Sequence, residues 1–223
     1  MRVAPTCVGC VVFDCDGLLV DTESRWSIAE RKLFAEHGFD FGDEQKAMLI
    51  GRTIEDAATE LAVYFDRPGQ APQIAAELMA LVHAEIDAGA QALPGAHQLV
   101  AACAARVPVA VASNSPRSLV DMALTRAGLV DLLPTSVCAE DVQRGKPDPD
   151  LYLLACAKLG ADPETSVAFE DSGTGAAAAR AAGMFLITVP SLPGKHVDHD
   201  WLLPSLDTPV LQTWATGLIP ITA

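Results

Sequence analysis

The stretch Val11–Glu23, VVFDCDGLLVDTE, decides which fold the rest of the chain can adopt. It opens with the apolar segment VVF, which predicts a buried strand, and this segment ends at Asp14 and Asp16 just before Gly17. In a parallel α/β sheet, ligands bind at the carboxyl ends of the strands. Two carboxylates at such an end indicate a functional site; the alternative is that they only initiate a turn.

Two later strand-like segments also end in polar residues. VPVAVASNS ends with Ser113 and Asn114 before its last serine, and TSVAFEDSGTG places Glu170 and Asp171 after its apolar part. Between them lies RGKPDPD, which carries Lys146. The chain therefore repeats the same arrangement, in which an apolar strand leads to groups that can do chemistry.

In chain order, the motifs DxDG, SN, GKPDP and EDS resemble those of the haloacid dehalogenase-like hydrolase superfamily. Within it, the chain is similar to the β-phosphoglucomutase-like branch of sugar-phosphate phosphatases and mutases. The resemblance extends from about Val11 to Val189, which is nearly the whole chain. It implies an enzyme that transfers a phosphoryl group and carries a helical cap domain.

The apolar pattern divides the chain into two kinds of structure. From Ser24 to Ala88 the apolar residues have helical spacing and no strand is indicated, whereas helices and strands alternate from Pro94 onward. This alternation predicts a Rossmann-like α/β fold, with a mostly parallel sheet and helices on both faces. We expect the catalytic core to comprise residues 1–22 and 91–223, and the helical cap residues 23–90.

Composition and charge exclude several classes of partner. Half of the 223 residues are hydrophobic, but no apolar segment reaches the roughly 18 residues that a membrane helix needs. The net charge of −14, from 29 acidic and 15 basic residues, argues against nucleic acid and anionic membranes. The N-terminal stretch has one basic residue and leads into the first motif, unlike a cleavable signal. We expect a cytoplasmic enzyme, a monomer or homodimer, that acts on a small phosphorylated metabolite.

Two other patterns look like metal sites only superficially. Cys7 and Cys10 form a CxxC pair, but a second pair and a nearby histidine are missing from the sequence, so a zinc or redox role is not expected. The segment HVDHD at residues 196–200 lies among Gly and Pro in the C-terminal tail and is expected to be a solvated loop.

The resemblance assigns a role to each residue of the core motifs. It implies that Asp14 attacks phosphorus and forms an aspartyl-phosphate, while Asp16 protonates the leaving oxygen and later accepts a proton from water. Lys146 would offset negative charge on Asp14 and on the phosphate. Ser113 and Asn114 would hydrogen-bond the phosphoryl oxygens.

This chemistry requires a hard cation. A carboxylate that approaches a phosphate dianion is repelled by about 4 kcal/mol per charge pair at roughly 4 Å and an effective dielectric constant of about 20. Mg²⁺ prefers a few carboxylates, and Asp14 and Asp171 lie at strand ends that the fold would bring together. The resemblance adds the backbone carbonyl of Asp16, and Glu170 is expected either to bind the ion directly or to lie behind its ligands.

The cap sequence favours a phosphatase over a mutase. In the mutases of this branch, a histidine lies four residues after an Asp-Thr pair; here that pair is Asp21-Thr22 and the corresponding residue is Trp26. The indole ring of Trp26 cannot act as the acid or base, so the β-phosphoglucomutase-type mutase becomes the alternative. Arg52, in a turn between cap helices, is predicted to contact the polar end of the substrate unless it is only a surface arginine.

Two further alternatives differ in what they require. A dehalogenase would not need Asp16, because halide leaves without a proton. A non-catalytic binding protein on the same fold would not need the complete set of catalytic residue types. The sequence therefore predicts a magnesium-dependent phosphatase, a phosphoric monoester hydrolase.

Overall fold

A parallel sheet carries the polar strand ends that the sequence singles out. The computed structural model describes residues 4–49, 53–191 and 197–221. The strands of this sheet are β2 (Val11–Phe13), β3 (Val109–Ala112), β4 (Ser136–Val137), β5 (Val167–Glu170), β6 (Phe185–Thr188) and β7 (Trp201–Leu202). They lie in the order β4-β3-β2-β5-β6-β7, and all neighbours are parallel. A separate pair, β1 (Cys7–Val8) and β8 (Ile219–Pro220), is also parallel.

The helices fall into two groups along the chain. The first four are α1 (Glu23–Glu36), α2 (Asp43–Leu49), α3 (Ile54–Tyr64) and α4 (Ala71–Gly89). The others alternate with the strands: α5 (Ala96–Ala104), α6 (Arg117–Arg126), α7 (Asp150–Leu159), α8 (Gly173–Ala181) and α9 (Pro209–Thr216). Contacts within the chain define two compact units, one formed by Met1–Asp21 with Gln91–Ala223 and the other by Thr22–Ala90.

Both faces of the main sheet are covered by helices. Alternate strand residues point to opposite faces, and on one of them Val12, Ala110 and Ala168 belong to a buried cluster with residues of α7 and α8. On the other face the rings of Phe13 and Phe169 stack at 5.0 Å, and the Phe169 ring lies 5.8 Å from Trp214 of α9. The predicted α/β fold with a mostly parallel sheet is confirmed.

The unit Thr22–Ala90 is helical and has its own core. Helices α1 and α3 both pack on α4, and Leu33, Leu61 and Leu78 are among the side chains buried there. Its ion pairs also join helices, as where Lys46 of α2 binds Glu30 of α1 at 2.8 Å. Over the residues that the structure describes, no helix combines the length and the apolar character needed to cross a membrane.

The sequence pattern is less accurate at the edge of the sheet and in the tail. TSVCAED at residues 135–141 predicts one strand, but β4 ends at Val137 and a 3-10 helix, Ala139–Asp141, follows. The Asp141 side chain accepts a hydrogen bond from the Cys138 amide at 2.8 Å, which stabilises the turn that ends the strand. Helix α9 was not predicted, although Pro209 in its first turn is a typical start signal.

The described part of HVDHD is more ordered than a solvated loop. Arg180 of α8 binds Asp198 through Nε at 2.9 Å and Asp200 through a terminal nitrogen at 2.6 Å. The Asp200 side chain is only 8% exposed and also accepts a hydrogen bond from the Leu186 amide. The prediction is therefore wrong for Asp200, while His196 lies outside the described residues.

Candidate active site

The strand register brings the polar strand ends to one edge of the sheet. Phe13 is paired with Val111 of β3 on one side and with Phe169 of β5 on the other. Asp14 therefore follows its strand at the level of Glu170, the last residue of β5. The chain builds outward from β2 through β3 and β4, and then returns to place β5 to β7 on the other side. This reversal is the kind of switch point at which open α/β sheets bind ligands.

A buried ammonium group links two of the converging carboxylates. Lys146 Nζ lies 2.5 Å from Asp14 Oδ1 and 2.6 Å from Glu170 Oε1, and the Lys146 side chain is 5% exposed. Burial alone would lower the pKa of Lys146, but the carboxylates of Asp14 and Glu170 outweigh it and raise that pKa above its ordinary value. The two carboxylates therefore stabilise the charged form of Lys146 at this position.

Asn114 holds the backbone that carries this lysine. The Lys146 amide donates to Asn114 Oδ1 at 2.7 Å, and Asn114 Nδ2 donates to the Lys146 carbonyl at 3.1 Å. A Cβ atom at Gly145 would lie 2.4 Å from Asn114 Oδ1, so this close approach depends on the absence of a side chain there. The contact of Asn114 with a phosphoryl oxygen stays a prediction, and what the structure adds is its role in fixing the lysine loop.

Hydroxyl groups orient the second aspartate of the DxDG motif. Ser113 Oγ and Ser115 Oγ each donate to Asp16 Oδ2 at 2.8 Å, and Ser113 Oγ also accepts a hydrogen bond from the Ser115 amide. Ser115 was missed at the sequence level, although it lies two residues after Ser113 in the same motif. The two serines fix one oxygen of Asp16 in a defined direction.

The acidic cluster has the chemistry of a divalent metal site. Asp14, Glu170 and Asp171 are buried, and one carboxylate oxygen from each lies within 4.8 Å of the others. Burial raises the pKa of Asp14 well above its ordinary value; Lys146 opposes this shift, and the neighbouring carboxylates add to it. Asp16 also acts on Asp14 electrostatically, so four carboxyl groups interact here, and Lys146 contacts two of them. Such an excess of hard, negatively charged oxygen ligands fits Mg²⁺.

Both carboxylate oxygens of Glu170 accept hydrogen bonds. Its Oε1 accepts from Lys146 Nζ and from the Tyr152 hydroxyl, the latter at 2.6 Å. Its Oε2 accepts from the Ser172 hydroxyl and the Asp171 amide, both at 3.2 Å. Both oxygens already have donors, which favours Glu170 as a support for its neighbours. Tyr152 was missed because a buried tyrosine on a helix looks like a core residue in the sequence.

The sequence also predicts roles for two residues of the helical segment, Arg52 and Trp26. Arg52 lies outside the described residues. Trp26 lies in the first turn of α1, within the unit Thr22–Ala90, and its amide donates to the Thr22 carbonyl at 2.9 Å. Their roles therefore stay predictions.

Comparison with known proteins gives the family. A family model described as haloacid dehalogenase-like hydrolase matches residues 8–183. The chain belongs to the haloacid dehalogenase-like hydrolase family. Among curated relatives, hexitol phosphatase B of Escherichia coli K12 is 35% identical over 81% of this chain and 82% of its own length. This membership confirms the resemblance drawn from the motifs and the predicted enzyme class, a phosphoric monoester hydrolase.

Two further matches set the extent of the similarity. The bifunctional riboflavin kinase/FMN phosphatase of Arabidopsis thaliana is 31% identical over 95% of this chain, but the match spans only 59% of that relative. A solved structure of a haloacid dehalogenase family hydrolase from Deinococcus radiodurans R1, with bound phosphate and sodium, is 32% identical with a TM-score of 0.74. It covers 97% of this chain and 100% of that one.

The space occupied by Glu170 gives the first prediction. A Cβ atom at Gly175 would lie 1.8 Å from Glu170 Oε1, whereas one at Gly173 would meet nothing within 4 Å. We expect Gly175→Ala to lower the free energy of unfolding by about 1–3 kcal/mol, because the carboxylate is held by several donors and cannot move freely. Gly173→Ala, in the same helical turn, should be neutral or stabilising by up to about 1 kcal/mol. Urea unfolding measures both, and equal effects of the two alanines would contradict the packing.

The raised pKa of Asp14 gives the second prediction. In the folded, metal-free state this carboxyl binds its proton more tightly than in the unfolded chain, so its contribution to stability decreases as the pH rises above about 4. Asp14→Asn removes this pH-dependent cost. In a buffer with a metal chelator, the stability of the variant relative to the wild type should therefore increase from about pH 5 to about pH 8. Urea unfolding at both pH values tests this, and a relative stability that stays constant or falls would count against it.

Proposed function

We propose that this protein is a magnesium-dependent phosphatase that hydrolyses a small phosphate monoester, most specifically a sugar phosphate, through an aspartyl-phosphate on Asp14. The observation that carries the proposal is the buried contact between Lys146 Nζ and Asp14 Oδ1, beside the acidic cluster and next to the oriented Asp16. The relatives named as phosphatases support the reaction class, and hexitol phosphatase B supports a sugar-like substrate.

Asp14 is proposed as the nucleophile because its carboxylate is both held and made reactive by its surroundings. Lys146 binds one oxygen, Oδ1, which leaves Oδ2 to attack phosphorus. The ester P–O bond breaks as the Asp14 O–P bond forms. In the second step water attacks phosphorus, the Asp14 O–P bond breaks, and inorganic phosphate leaves. Splitting one difficult displacement into two easier ones is the advantage of a covalent intermediate.

Asp16 is proposed as the acid and base. Its protonated form gives a proton to the leaving oxygen in the first step, and its carboxylate takes a proton from the attacking water in the second. The hydroxyls of Ser113 and Ser115 hold Oδ2 and so fix the orientation of the carboxyl group that exchanges the proton. Ser113 and Asn114 are further proposed to hydrogen-bond the phosphoryl oxygens. When the Ser113 hydroxyl turns to the substrate, Ser115 still holds Asp16, and Asn114 would donate through its backbone amide while its side chain keeps the lysine loop in place.

The metal is proposed to bind Asp14 and Asp171, with Asp16 contributing its backbone carbonyl and Glu170 supporting the cluster. When bound, Mg²⁺ neutralises negative charge on the acids and on the phosphate and so allows the two to approach. A Cβ atom at Gly17 would lie 2.6 Å from Asp171 Oδ2, so the glycine leaves room for this carboxylate beside the DxDG turn.

The helical residues 23–90 are proposed as the cap, which selects the substrate. Arg52 is proposed to contact the polar end of the substrate. Trp26 stands where the mutases of the family carry a histidine, and its side chain cannot act there as the acid or base. Hydrolysis is therefore preferred to isomerisation, and the β-phosphoglucomutase-type reaction is the second candidate.

The test is a substrate panel with and without metal. The purified protein is given hexose, hexitol, pentose and nucleoside monophosphates with Mg²⁺ or with EDTA, and phosphate release is measured alongside isomerisation of glucose 1-phosphate. We expect Mg²⁺-dependent phosphate release that exceeds isomerisation.

The variant Asp14→Asn tests the nucleophile. Asp14→Asn should lower the rate of phosphate release by more than about 10³-fold. The exposed Asp131→Asn is the matched control and should retain the wild-type rate.

Each part of the proposal has its own contrary result. Isomerisation faster than phosphate release would assign the chain to the mutases. Turnover that persists in EDTA would exclude the metal. A folded Asp14→Asn protein with a near wild-type rate would reject Asp14 as the nucleophile.

A further inference from the structure

Tyr152 contacts two residues of the candidate site, Glu170 and Lys146. It lies in the first turn of α7, and its side chain is fully buried. Its hydroxyl donates to Glu170 Oε1 at 2.6 Å, and the same oxygen accepts from Lys146 Nζ at 2.6 Å. The lysine ammonium also lies 5.2 Å from the centroid of the tyrosine ring. One side chain thus contacts the lysine directly through its ring and indirectly through a shared carboxylate.

Ordinary core packing does not account for this arrangement. The other buried residues of α7 are Leu151, Ala155 and Cys156, and all belong to the apolar cluster under the sheet. A phenylalanine would fill the same volume without bringing a polar atom into that cluster. The acceptor of the hydroxyl is Glu170, one of the two carboxylates that hold Lys146. A buried hydroxyl in a shared network restricts the positions available to every member.

The network leaves the Glu170 carboxylate little freedom. Oε1 receives two donors, from Lys146 and Tyr152, and Oε2 receives the Ser172 hydroxyl and the Asp171 amide. A carboxylate held at both oxygens is a fixed anchor for the ammonium. The ring adds a second constraint, because a cation within about 6 Å of a tyrosine face is attracted to it.

We infer that Tyr152 is a positioning residue for the proposed phosphatase reaction, which holds the Lys146 ammonium against Asp14 through the Glu170 carboxylate and the face of its own ring. This inference rests on the proposed function, because the position of Lys146 affects the rate only if Asp14 is the nucleophile. It adds a residue that lies outside the DxDG, SN, GKPDP and EDS motifs.

Kinetics of matched tyrosine variants give the first readout. Tyr152→Phe removes only the hydroxyl, Tyr152→Leu removes hydroxyl and ring, and Tyr64→Phe is the control, because Tyr64 also has a hydrogen-bonded hydroxyl but lies in the helical unit. Removing an outer partner of a functional side chain typically lowers activity about tenfold or more. We expect Tyr152→Phe to lower kcat about tenfold with little change in KM, Tyr152→Leu to lower it further, and Tyr64→Phe to change neither.

Chemical labelling of lysine gives a second readout that does not depend on activity. Short pulses of reductive methylation, followed by peptide mass spectrometry, report how readily each amine reacts. In the wild type, Lys146 should react far more slowly than Lys32, whose side chain is 53% exposed. In Tyr152→Phe the reaction of Lys146 should become severalfold faster while that of Lys32 stays the same, because only the lysine anchored by Glu170 has been released.

The two readouts separate the possible failures. Unchanged kcat and unchanged Lys146 labelling in Tyr152→Phe would overturn the inference. A lower kcat without faster labelling would overturn it as well, because Tyr152 would then affect the reaction without holding Lys146 in place. If the wild type hydrolyses no member of the phosphate panel, the proposed function fails, and the labelling alone still decides whether Tyr152 fixes Lys146. Tyr152→Phe keeps the buried ring, and circular dichroism checks its fold.

Discussion

The contact of one buried ammonium with two buried carboxylates is the interaction on which the site depends. Lys146 Nζ touches Asp14 and Glu170, which come from neighbouring strands, and each of these charges would be costly to bury alone. Asp14 and Lys146 are 132 residues apart in sequence. The parallel register of β2 and β5 places Asp14 beside Glu170, and Asn114 holds the loop that brings Lys146 to both of them. The sheet therefore positions the charged groups of the site.

The clustered carboxyl groups lower the stability of the metal-free protein. Burial and the three neighbouring acids, Glu170, Asp171 and Asp16, disfavour ionisation of Asp14, and the single ammonium of Lys146 opposes this effect. Close packing maintains the arrangement, because Gly17 and Gly175 leave space for the carboxylates of Asp171 and Glu170. Sites of this kind are expected to lose stability in exchange for activity, and a bound cation would offset the cost.

The sequence was sufficient to predict the residues at strand ends, but not the residues that support them. Asp14, Asp16, Lys146 and Asp171 belong to motifs whose order and spacing indicate the fold and the chemistry together. Tyr152 has no such signal, because a helix face that buries tyrosine looks the same whether its hydroxyl meets a catalytic network or not. The short strand β8 was likewise missed, since its pairing with β1 joins the two ends of the chain and leaves no local pattern.

The most direct test of the account is calorimetric titration of the metal-free protein with Mg²⁺. If the converging carboxylates form one cation site, the wild type and the exposed Asp131→Asn control should each bind one ion per chain. Asp171→Asn should bind it at least about tenfold more weakly, because one oxygen ligand is lost while the fold remains. Equal affinity and stoichiometry in Asp171→Asn and the wild type would contradict the account, because the acids of strands β2 and β5 would then not share an ion.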